Sequence, residues 1–99
     1  MNLIEQNIEN LRNLCNRYNV FQLYIFGSVL EERFSPDSDI DFLVTFHDIE
    51  VDHYADNYFD FKFSLEDLFN RQIDLLEDKA IKNPFLKKSI DSSKQLVYG

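Results

Sequence analysis

The chain has 99 residues, 44% of them hydrophobic and 28% charged, with a formal net charge of −8. That size and balance predict one soluble globular domain over residues 1–99, and the acidic charge argues against direct nucleic-acid binding, which normally uses a basic patch. With no apolar run near membrane-span length, no basic region at the start Met1-Asn2-Leu3-Ile4-Glu5 and a lone Cys15, a cytoplasmic place with no membrane partner and no internal disulfide is expected.

Leu3, Ile4, Ile8, Leu11, Leu14, Cys15 and Tyr18 recur at three- and four-residue spacing, which predicts an amphipathic helix over about residues 2–18. Cys15 lies on the apolar stripe, where core packing is its expected role. Val20-Phe21-Gln22-Leu23-Tyr24-Ile25-Phe26 then reads as a strand bounded by Gly27. A glycine lets the backbone turn sharply and approach a ligand closely. Ser28 adds a hydroxyl, and Val29-Leu30-Glu31-Glu32-Arg33 could form a short helix. A helix start presents free N–H groups that suit a phosphate, although Ser28 could equally be an ordinary N-cap.

The turn Ser35-Pro36-Asp37-Ser38 leads into a strand over Asp39–Thr45. Strand alternation sends Ile40, Phe42, Val44 and Phe46 to the core and leaves Asp39, Asp41, Leu43 and Thr45 on the opposite face. Two carboxylates on one face repel unless a cation separates them, and such oxygen ligands suit Mg²⁺; the alternative is a solvated strand start. Residues 46–50 read as a loop, and 53–70 as a second helix, unusually aromatic. Tyr54, Tyr58, Phe61, Leu65 and Leu68 share a stripe, which Phe59, Phe63 and Phe69 widen. These rings either fill the core of a protein without tryptophan or form a patch for a partner helix.

Gln72-Ile73-Asp74-Leu75-Leu76 reads as a further strand, with Ile73 and Leu75 inward and Asp74 on the other side. Asn83 could cap a last helix over about residues 84–94, with Pro84 at its first position. Lys87, Lys88 and Lys94 there form a solvated face or touch phosphate. His47 and His53 lack the spacing of a zinc site. The elements together give an α/β (α+β) fold: a small mixed sheet of three strands or slightly more, with helices mainly on one face. Asp39, Asp41 and Asp74 would then converge on the other face, where they could hold a metal and accept a proton.

Gly27-Ser28, ten residues, Asp39-Ile40-Asp41 and the later Ile73-Asp74-Leu75 resemble the nucleotidyltransferase superfamily. More narrowly, the whole chain looks like a minimal nucleotidyltransferase (MNT) domain, the tail Asn83-Pro84-Phe85-Leu86-Lys87-Lys88-Ser89-Ile90 included. The resemblance implies a nucleotidyltransferase-like fold with Gly27 and Ser28 as nucleotide contacts and Asp39, Asp41 and Asp74 as metal-binding and catalytic acids. It also implies Mg²⁺ and ATP as cofactors and a HEPN-domain toxin as partner, in a hetero-oligomer. The activity implied is transfer of AMP to a hydroxyl of that partner, most simply a tyrosine, which makes the chain an antitoxin. Where the family usually carries Arg-Gly after Gly-Ser-x-x, this chain has Glu31-Glu32, two negative charges beside the expected triphosphate. That departure favours the alternative function, a non-catalytic antitoxin that neutralises its partner by contact.

Overall fold

A computed structural model describes residues 2–27 and 38–99. Ser28, the short helix expected at 29–33 and the turn at 35–37 lie outside the described residues. The elements are α1 (Asn2–Gln6), α2 (Ile8–Arg17), β1 (Val20–Phe26), β2 (Ile40–Phe46), α3 (Val51–Phe69), β3 (Ile73–Glu77), α4 (Pro84–Ser93) and β4 (Gln95–Tyr98), with a 3₁₀ turn at Asp78–Ala80.

The single leading helix expected at 2–18 is divided at Asn7. Its backbone N–H bonds the Ile4 carbonyl at 3.1 Å and its side-chain amide bonds the Leu3 carbonyl at 2.9 Å, closing a tight turn. Asn side chains compete with the helix ladder for backbone groups, which is why the break falls here. Both pieces still bury the expected stripe, with Ile4, Leu11 and Cys15 in the core.

The sheet has four strands in the order β3-β2-β1-β4. β1 is antiparallel to both β2 and β4, while β2 and β3 run parallel across the α3 crossover. The fourth strand is the addition to what periodicity indicated: Gln95–Tyr98 is a four-residue edge strand, too short for alternation to announce.

On one face, Ile40, Phe42, Val44, Ile73 and Leu75 pack with Phe61, Leu65 and Phe69 of α3 and with Leu11 and Cys15 of α2. A register shift between Val20 and Gln22 lets Leu23 and Ile25 join Val20 on that side. The α3 rings divide between core and surface. Phe61 and Phe69 are buried, whereas Phe59 and Phe63 are 48% and 54% exposed.

The opposite face is partly covered. Leu43 and Ile90 are both buried yet lie outside the main core cluster. Lys94, just after α4, sits over the ring of Tyr24, whose strand partner is Leu43. α4 therefore covers the Tyr24–Leu43 part of the face that carries the acids. Asn83 caps this helix as expected, its Oδ1 accepting from the N–H groups of Phe85 and Leu86 at 2.9 and 3.3 Å.

Candidate active site

β1 ends at Phe26, whose partner across the antiparallel ladder is Asp41. Gly27 follows with φ +73°, in the left-handed region that favours glycine. A Cβ placed on Gly27 would stand 2.2 Å from Asp41 Oδ2. The glycine backbone and the second acid of Asp39-x-Asp41 are thus packed directly together.

On the other side, Asp41 is the register partner of Asp74 across the parallel β2–β3 pair. Parallel neighbours in register project from the same face, so these two carboxylates stand side by side on adjacent strands. Asp39 lies two residues before Asp41, exposed, immediately ahead of β2. Its backbone is fixed from the α3–β3 connection. Ile40 N–H bonds the Gln72 carbonyl at 3.3 Å, and Arg71 Nη1 donates to the Ser38 carbonyl at 3.2 Å. That connection is itself shaped by Asn70, which ends α3 in the left-handed conformation (φ 53°).

The fold thus brings Gly27, Asp41 and Asp74 together, with Asp39 just ahead of β2. Ser28 lies outside the described residues. Among the described residues, no three His, Cys, Asp or Glu side chains form a ready-made metal cage. Mg²⁺ does not demand one, because it usually takes one or two carboxylates and fills its octahedron with water and substrate oxygens. An Asp41–Asp74 pair in register, with Asp39 beside it, is a donor set of that kind. Glycine at position 27 leaves backbone, rather than a side chain, against Asp41.

Two features were not visible in the sequence. Lys94 Nζ lies 4.4 Å from the centroid of the Tyr24 ring, on the acid-bearing face. At the far end of β2, a cleft of about 200 Å³ is lined by His47, Asp48, Tyr54, Glu77 and Lys79 among others, away from the acids. There the Tyr54 hydroxyl donates to Glu77, and burial above all, with that bond and the Glu77 charge, raises the Tyr54 phenol above its usual range. Burial likewise leads the upward shift at Tyr58, helped by the charges of Glu77 and Asp74.

The family model for Polymerase beta, Nucleotidyltransferase matches residues 9–99. The chain belongs to this nucleotidyltransferase family. A protein of Methanocaldococcus jannaschii, named as a candidate protein adenylyltransferase, is 39% identical over 85 residues, covering 86% of this chain and 82% of its own. Among solved structures, a candidate minimal nucleotidyltransferase superposes with a TM-score of 0.76 at 24% identity, covering 93% of this chain and 90% of that one. The complex of a tri-AMPylated Shewanella oneidensis HEPN toxin with its MNT antitoxin contains a chain that superposes at 0.66 with 16% identity, covering 96% of this chain and 71% of that one. These likenesses fit the four-stranded mixed sheet with helices on both sides. No helix among the described residues is long and apolar enough to cross a membrane.

Proposed function

We propose that this nucleotidyltransferase moves AMP from ATP to a hydroxyl of a partner protein, a tyrosine of a HEPN-domain toxin, and so acts as its antitoxin. The observation that carries the proposal is that Gly27, just after β1, packs on the Asp41 carboxylate, and Asp41 pairs in register with Asp74 on the neighbouring strand. A protein acceptor and a HEPN-toxin partner are supported by what the similar proteins are named for, and the tyrosine is what the family resemblance implies.

In this reading Asp39 and Asp41, with Asp74 beside them, would hold Mg²⁺, which when bound would supply charge neutralisation for the phosphates. Gly27 lets the phosphates approach the backbone, and Ser28 offers its hydroxyl to them. Asp74, exposed on β3, takes the proton of the attacking hydroxyl. That oxygen bonds to the α-phosphorus, the bond from the α-phosphorus to the bridging oxygen breaks, and pyrophosphate departs. The β3 side of the site opens to solvent, so the acceptor arrives on the partner.

A second reading has an observation of its own. Glu31-Glu32 puts two negative charges in the segment after Gly27, where a triphosphate would need cations. In that reading the chain neutralises its partner by contact alone. ATP labelled at the α- or the γ-phosphate separates the two. Label on the partner from the α position only supports transfer of AMP; a stable complex that takes up neither label supports contact.

A further inference from the structure

The strongest feature outside the row of acids is the end of α4. Lys94 closes that helix, its N–H bonding the Ile90 carbonyl at 2.8 Å. The next residue, Gln95, pairs with Ile25 of β1, two positions before Gly27. The helix therefore finishes at the carboxylate end of the sheet.

The Lys94 side chain turns onto the acid-bearing face. Its ammonium lies 4.4 Å from the centre of the Tyr24 ring. Tyr24 pairs with Leu43 in the same register in which Phe26 pairs with Asp41, so the ring and the carboxylates share one face. Asp91 Oδ1 holds the ammonium at 2.9 Å. Asp91 Oδ2 also lies 3.7 Å from Lys87, which bonds Asp78 at 3.0 Å, so alternating charges run along α4 towards the acids.

A lysine on a solvated helix face wanders; this one is seated. Its side chain is 23% exposed, against 45% for Lys87, and the ring beneath adds a cation–π contact. An ammonium has three donors, and Asp91 occupies one of them. In the segment from Ser28 to Arg33 a single cation, Arg33, follows the two acids Glu31-Glu32. A polyphosphate over these acids gains from positive charge besides that of Mg²⁺, and Lys94 stands on the same face.

We infer that Lys94 is a nucleotide-binding residue, its ammonium presented by α4 over the Asp41–Asp74 face to contact a phosphate of the bound triphosphate. Tyr24 and Asp91 are positioning residues that aim it. This inference rests on the nucleotide-binding part of the proposed function.

Calorimetric titration of the whole chain with Mg-ATP and with inorganic tripolyphosphate tests it, using wild type, Lys94→Met, Lys94→Arg and Asp91→Asn. Loss of one charge-assisted contact should weaken both ligands about tenfold in Lys94→Met. Lys94→Arg should recover most of that loss, and Asp91→Asn should show a smaller one. If Lys94→Met does not fold, as its thermal melt would reveal, the arginine and Asp91→Asn variants still decide. Unchanged ATP affinity in a folded Lys94→Met overturns the inference and leaves AMP transfer standing. Weakened ATP with unchanged tripolyphosphate overturns the phosphate assignment. A wild-type chain that neither binds Mg-ATP nor transfers AMP overturns the underlying function and the inference together.

Discussion

Gly27 and Asp41 are locked to each other: the position a Gly27 Cβ would take is 2.2 Å from Asp41 Oδ2. Two separate constraints fall on that glycine. Its φ of +73° disfavours any side chain, and the neighbouring carboxylate leaves no room for one. Gly27→Ala should therefore cost about 1–2 kcal/mol from the left-handed backbone alone. It should also push the Asp41 carboxylate aside and reduce AMP transfer by more than its stability loss explains. Urea unfolding and initial transfer rates on the same preparation check both parts.

Asp74 should behave in the opposite way. It is exposed and stands in register beside Asp41, so Asp74→Asn removes one of two neighbouring like charges. The melting temperature should hold or rise. Loss of a general base typically costs about 10²–10⁴ in rate, and transfer should fall within that range. A variant with lowered stability and near-normal transfer would place Asp74 in the fold and outside the chemistry.

The helix α3 gives an internal contrast. Phe61 is fully buried among core residues and makes ring contacts with Tyr18 and Phe46, each at 5.9 Å between centroids. Phe61→Ala should cost about 3–5 kcal/mol, a large part of the stability of so small a protein. Phe63, two residues on and 54% exposed, should tolerate alanine within about 0.5 kcal/mol. Chemical denaturation of the two variants side by side tests the assignment of inward and outward rings.

Cys15 supplies a pH prediction. Burial pushes its thiol up to about 12 from an ordinary value of 9.0. Because the folded-state value is the higher one, the neutral thiol stabilises the fold at low pH. That contribution is complete below the unfolded value and is lost as pH rises from about 9 towards 12. At pH 8 an aromatic disulfide reagent should leave Cys15 unmodified in the native protein and titrate one thiol in denaturant. Rapid modification of the native chain would contradict its placement in the core.

Much of this was legible in the sequence because it depends on short-range rules. Alternation alone put Ile40, Phe42 and Val44 inward and Asp41 outward, and glycine punctuation marked the end of β1. Asn83-Pro84 announced the start of α4 through its cap. What was hidden depends on register and on long-range packing. No local pattern says that Asp41 pairs with Asp74, or that a four-residue strand after α4 closes the far edge of the sheet. In the sequence Lys94 is one of three lysines that either form a solvated face or touch phosphate, and only the fold, which brings Tyr24 beneath it, sets it apart from the other two. Asn7 was the one local signal passed over: its polar side chain sits inside an otherwise continuous apolar stripe and breaks it.

Intact mass spectrometry of the proposed partner protein, after incubation with this chain, Mg²⁺ and ATP, tests the central claim most directly. The expected result is a mass increase by whole adenylyl groups, absent when Asp41→Asn replaces the wild-type chain although the complex still forms. An unmodified partner held in a stable, inactive complex by the wild-type chain would contradict catalysis and leave contact as the mechanism.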